Sequence, residues 1–178
     1  MNDLRIETAG PVDPAGSAAG LALLEDWRLI HNAIIPTAPL SPEDVRERAG
    51  RNRLDVAYAD GVAVGCSTVR PPDEETPAAT VIARVLPGHR GRGYGTALYA
   101  HGLAHARTLS DEGVETVVLA SNTEGLRFAL ARGFVETERY VLPGDTVPFV
   151  TLRLADDADG TTGPTAPTAP TAPTAPTE

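Results

Sequence analysis

The sequence predicts a mixed α/β fold built around one sheet. Helix-spaced apolar stretches alternate with short β-branched runs. One of those runs, residues 80–86, leads into a glycine- and arginine-rich turn that opens a helix. After Leu154 the composition changes abruptly, which bounds the fold at about residues 1–154 and leaves 155–178 as a tail.

Residues 4–8 read as a first strand. Residues 15–33 read as a helix by the spacing of Leu21, Leu24 and Ile30 with Ala between. Ser41 is a good N-cap, Pro42 suits the first helical position, and Glu43 and Asp44 fill the first turn of a second helix ending near Gly50. Residues 54–58 and 62–69 flank Asp60-Gly61 and read as a hairpin. An acidic loop, 71–77, precedes the β-branched strand 80–86, which Pro87 closes. A helix over 94–109 follows the glycine turn, then a buried-type strand, 114–120. A short helix, 124–132, stops at Gly133. Strands 134–142 and 147–154 pair around Pro143-Gly144-Asp145. The predicted order is β-α-α-β-β-β-α-β-α-β-β, and aromatics are so sparse that the core is expected to be mainly Ala, Val and Leu.

From Thr165 the triplet Thr-Ala-Pro repeats four times. Proline at every third residue removes backbone donors and fixes φ, so the segment reads as a disordered, partly polyproline-II tail. It serves as a solubilising or linker segment, or docks on a proline-recognising partner.

Net charge is −9. That argues against nucleic acid as a partner, because neutralising phosphates takes clustered cations. No run is long and apolar enough for a membrane helix, and residues 1–10 show no apolar signal core. The expected compartment is the cytoplasm. The lone Cys66 permits no intramolecular disulfide and reads as a buried small residue, and the four histidines form no metal-ligand pattern, so no metal is expected. His101 and His105, one turn apart on the helix over 94–109, lie off its apolar stripe and are expected to face solvent.

The chemistry concentrates at Val85-Leu86-Pro87-Gly88-His89-Arg90-Gly91-Arg92-Gly93-Tyr94-Gly95-Thr96. The first N–H groups of a helix lack intrahelical partners and carry the positive end of its dipole. Glycines let the backbone close around a phosphate, and Arg90 and Arg92 add charge-assisted contacts. This is a diphosphate cradle. A nucleotide P-loop would need a lysine absent here, and the dinucleotide glycine spacing fails by one residue at Gly95.

The stretch Arg90-Gly91-Arg92-Gly93-Tyr94-Gly95 resembles the Arg/Gln-x-x-Gly-x-Gly/Ala motif of the GNAT superfamily of N-acetyltransferases. The segment running from Asn122 to Gly133-Phe134 resembles that family's second motif, at a family-like separation. The resemblance covers about residues 1–154. It implies a single mixed, mostly antiparallel sheet flanked by helices, with acetyl-CoA as co-substrate. It also implies that the turn amides from Arg90 to Gly95, with Thr96, hold the pyrophosphate. Val85 and Leu86 would line the pantetheine arm, Asn122 would bond it, and Phe128 on the following helix would flank it. A small-molecule or peptide amine would attack the thioester directly in a ternary complex. Family members often pair as homodimers through edge strands, for which 147–154 is the candidate.

The pattern departs at the general acid. Many members carry a tyrosine seven residues after the asparagine; here that position is Ala129. Tyr140, Ser121 and Tyr94 are the substitute candidates. The strand 80–86 holds no acid to serve as base, leaving Glu74 and Glu75 on the preceding loop; Arg84 on that strand could meet an acidic substrate group. The expected function is therefore an acetyl-CoA-dependent N-acetyltransferase. The alternative is a catalytically weak or silent acyl-CoA-binding module.

Overall fold

The computed structural model describes residues 3–9 and 17–155. Within them the elements follow the predicted order: β1 (Leu4–Ala9), α1 (Ala18–Ile34), α2 (Pro42–Arg51), β2 (Arg53–Ala59), β3 (Val62–Arg70), β4 (Ala79–Val85), α3 (Tyr94–Ala106), β5 (Val114–Leu119), α4 (Thr123–Leu130), β6 (Phe134–Tyr140) and β7 (Phe149–Leu154). The repeat tail lies outside the described residues.

Local chemistry sets the helix starts. Ser17 caps α1 through its hydroxyl, 3.1 Å from the Gly20 amide. Ser41 and Asp44 form a reciprocal capping box on α2, with Pro42 at the first position. Asn122 caps α4 by accepting from the Gly125 amide at 2.9 Å. The helix expected over 94–109 ends at Ala106, and the strands expected to Leu142 and from Val147 are trimmed by the turn between them.

The strands form one seven-stranded sheet in the order β1-β2-β3-β4-β5-β7-β6. Every neighbouring pair is antiparallel except β4 with β5. The expectation that 147–154 is an edge strand is overturned: β7 lies between β5 and β6, and the edges are β1 and β6. Residues 149–154 alternate without a strong polar face, and two neighbours satisfy their backbone on both sides.

Side-chain alternation on the sheet separates two packing faces. Leu54, Val56 and Cys66 pack with Leu24, Trp27 and Ile30 of α1 and Val45 of α2. Val64 packs with Tyr94 and Leu98 of α3, against Ala83 and Val85. Trp27, 1% exposed, is the largest core side chain, and its indole donates to the Ser67 carbonyl at 2.9 Å. A buried carboxylate, Asp55, accepts from Thr8, Ser67 and Arg53 at 2.7–3.0 Å. His101 joins this group, its Nε2 2.6 Å from the Arg53 guanidinium and 3.7 Å from Asp55. It does not simply face solvent as expected, because α3 crosses the sheet beside Arg53.

Candidate active site

Strands β4 and β5 share only two register pairs, Ala79 with Val114 and Thr80 with Glu115. From Val81 to Val85 and from Thr116 to Leu119 they have no ladder partner in each other. Beyond Val85 the chain makes a 3₁₀ turn, Pro87–His89, and passes Gly91 and Gly93, which hold φ of 73° and 85°. Such left-handed conformations cost a side-chain-bearing residue about 1–2 kcal/mol. Gly93 is the N-cap of α3 and offers no side chain to cap it. No side chain among the described residues caps this helix start, so the positive end of its dipole faces the turn.

A cavity of about 710 Å³ occupies the gap between the diverging strands. The sequence-predicted residues Val85, Arg90, Gly91, Gly93, Tyr94, Gly95, Thr96, Asn122 and Phe128 line it. Leu86 and Arg92 do not; Leu86 turns into the α1 cluster, its amide bonded to the Val64 carbonyl. The Asn122 Oδ1 is occupied in capping α4. Gly95 lets α3 approach closely, since a Cβ there would already touch Val85 and Phe128. Arg90 donates to the Val85 carbonyl and pairs with Glu124 at 2.8 Å, so an ion pair links the glycine turn to α4. Arg132 bonds the Thr96 hydroxyl at 2.6 Å and lies over the Phe128 ring.

The catalytic candidates scatter. Ser121 lines the cavity at an exposed position. Tyr140 does not line it; its ring stacks on Phe149, which does. Glu74 and Glu75 are exposed on the 71–78 loop and off the lining. Ala129 is buried with Phe134, Val150 and Leu152. Packed against that same cluster is Tyr99, a cavity-lining phenol that sequence reasoning placed only on the apolar stripe of its helix. Its ring meets Phe128 and Phe134 edge-on, and burial raises its pKa, so the hydroxyl keeps its proton. Its stripe position gave no sign that the residue lines a cavity.

The α1 side of the gap has a different character. Ile34, Ile35 and Arg84 line it. Arg84 stands opposite Cys66 in the β3–β4 ladder. Burial lowers the Arg84 pKa, and Arg70 and Arg48 push it the same way. Burial also pushes the Cys66 thiol up to about 12, so the thiol is neutral. His31, 5% exposed, stacks on Trp27 with no hydrogen-bond partner for its Nδ1. Burial first, then Arg84, pushes its pKa down to about 4.

The match to known proteins follows this geometry. The family model described as Acetyltransferase (GNAT) family matches residues 21–134. The chain belongs to that family of acetyl-CoA-dependent N-acetyltransferases. Solved structures share the fold. One described as a phosphinothricin N-acetyltransferase is 20% identical with a TM-score of 0.66, covering 86% of this chain and 100% of its own. A Salmonella typhimurium protein solved with its cofactor acetyl-CoA is 16% identical, TM-score 0.64, with 89% and 96% covered. Ribosomal-protein-alanine N-acetyltransferase from Brucella melitensis is 22% identical, TM-score 0.61, with 84% and 98% covered. No curated protein matches the chain by sequence. Among the described residues no helix is long and apolar enough to cross a membrane.

Proposed function

We propose that the protein transfers an acetyl group from acetyl-CoA to an amine by direct attack in a ternary complex. The domain is taken as residues 1–154, with 155–178 appended. The observation that carries the reading is the parting of β4 from β5 over a cavity that ends at an uncapped helix start and two left-handed glycines.

The turn from Arg90 to Gly95 suits the coenzyme diphosphate, because its amides and the α3 dipole favour an anion. The pantetheine arm lies in the gap, along the β4 backbone edge that β5 leaves unpaired. A neutral amine attacks the thioester carbon. The carbonyl oxygen gains charge and is met by a β4 backbone N–H. The C–N bond forms, the C–S bond breaks, and the thiolate takes a proton. Tyr99 is our candidate to give it, because it lines the cavity and packs against the same cluster as Ala129. Glu124 is the single carboxylate among the described lining residues and is paired with Arg90, so the proton lost by the amine passes to solvent.

The buried Ala129, where many family members place their acid, favours the second reading, a silent acyl-CoA-binding module. Two measurements separate the readings. Thermal unfolding with excess acetyl-CoA, against NAD and ATP, tests the cradle; a ligand at 100 times its dissociation constant stabilises by about 2.7 kcal/mol. Amine-dependent release of CoA thiol tests transfer. A shift with acetyl-CoA but no release across a broad amine panel leaves the binding module; a shift only with NAD or ATP refutes both. The neighbours' acceptors differ, phosphinothricin by description in one and a ribosomal-protein alanine in another, so the fold does not choose the amine.

A further inference from the structure

The cavity is lined by α3 and α4 at one mouth and by Ile34 and Ile35, at the end of α1, at the other, and the two differ in charge. At the α3–α4 mouth Arg90 already has a carboxylate, Glu124. At the α1 mouth Arg84 has none. It faces Cys66, a neutral thiol that offers no countercharge. Arg70 extends from the same sheet face, because Cys66 and Arg70 are even-numbered neighbours on β3 and Arg84 is the cross-strand partner of Cys66. Arg48 reaches this region from α2, close enough for its charge to act on both Arg84 and Arg70. None of the three has an ion-pair partner among the described residues. Asp44, the acid one turn before Arg48, feels the Arg48 charge but forms no ion pair with it, being held by the Ser41 hydroxyl and amide in the capping box.

Grouping three cations is costly, and this chain carries −9 overall, so composition does not force it. A half-buried guanidinium is normally matched by a carboxylate or phosphate, which its planar fork grips with two parallel hydrogen bonds. Among the described residues no carboxylate matches it, and Arg84 lines the cavity. The imidazole beside it, His31, is enclosed with an unpartnered Nδ1. The like charges of Arg84, Arg70 and Arg48 disfavour a polycationic acceptor here.

We infer that the acceptor amine carries an anionic group, a carboxylate or phosphonate, which Arg84 binds at the α1 mouth with Arg70 and Arg48 adding field. This rests on the acetyltransfer reading above. The anion anchors the acceptor by one end, which leaves its neutral nitrogen to reach the thioester in the gap; the bond changes are those already given. Arg84 is then a specificity-determining residue. It touches the acceptor and not the coenzyme.

The test pairs each of a set of amino acids with its carboxamide, and aminoalkylphosphonates with the matching amino alcohols. Spermidine and a neutral-side-chain peptide amine complete the panel. CoA-thiol release is measured for the wild type, Arg84→Met, which keeps most of the stem, and Arg84→Lys. The expected result is a kcat/KM higher for the anionic member of a pair. Arg84→Met lowers that value about 10–100-fold while leaving the neutral member within about twofold, as for losing a hydrogen bond to a charged group. Arg84→Lys restores part of it. Preference for spermidine, a neutral amide or the peptide amine, or equal loss for both members of a pair, overturns the inference.

A binding readout separates this from failure of the catalytic reading. With CoA bound, hydroxy acids matching the amino acids are added, and thermal unfolding is followed in the wild type and Arg84→Met. Stabilisation of the wild type alone supports the anion site even if no amine turns over. No stabilisation of either protein, or equal stabilisation of both, refutes it whatever the turnover.

Discussion

His31 makes stability fall in mild acid, in a window where few carboxylates titrate. Its ring is 5% exposed and stacked on Trp27 with ring centroids 5.1 Å apart. Burial is the main cause that pushes its pKa down to about 4, and the Arg84 charge adds to it. In the unfolded chain a histidine titrates near about 6.5. The unfolded state therefore binds the proton first as pH falls. The full contribution is present above pH ~6.5, is lost as pH drops, and levels off below the folded value. Taking about 4 and 6.5, the loss between pH 7.5 and 5 is about 2 kcal/mol, at ~1.4 kcal/mol per unit of separation. For a domain of this size that is a fall in Tm of about 4–8 °C. The assay is urea unfolding at pH 7.5, 6.5, 5.8 and 5.0 for the wild type and His31→Phe, which keeps an aromatic ring on Trp27. Subtracting the two curves cancels the other histidines and the carboxylates. The wild type should lose about 2 kcal/mol more than the variant across this range. Parallel curves would refute the reasoning, since they would mean that the buried imidazole takes its proton as readily as an unfolded one.

Four further outcomes are expected. Gly65→Ala places a Cβ 2.6 Å from the Arg84 carbonyl and 2.9 Å from Leu98, so chemical denaturation should show a loss of about 2–3 kcal/mol. Gly93→Ala meets open space but must hold φ at 85°; it should cost about 1–2 kcal/mol in unfolding and weaken acetyl-CoA binding in calorimetry. Glu124→Gln frees Arg90 from an exposed ion pair, so stability should stay within about 1 kcal/mol while acetyl-CoA binds more tightly. Tyr99→Phe removes a cavity-lining hydroxyl; kcat should fall about 10²-fold or more with acetyl-CoA affinity retained, and unchanged kcat would dismiss Tyr99 as the acid.

The element order, the Ser41 capping box and the Asp60-Gly61 hairpin were legible because each rests on contacts within a few residues along the chain. The glycine turn was legible for the same reason: strand, positive-φ glycines and helix start are contiguous from Val85 to Thr96. What sequence could not show depends on distant segments meeting. Nothing local marks β7 as interior, since that requires β5 to pair on one side and β6 on the other. Tyr99 reads as one more stripe residue until α4 and β7 pack around it and Ala129. His101 looks free until α3 lays it beside Arg53 and Asp55. Arg84 alone on a strand is an ordinary polar residue, and only the sheet register and α2 bring Arg70 and Arg48 into its field. Local sequence thus determined the strand–turn–helix that we propose holds the coenzyme diphosphate, because such a site needs only the backbone amides of one turn. Tertiary structure decided the cation group proposed to bind the acceptor, because its charges come from α2, β3 and β4 and meet only when the sheet has formed.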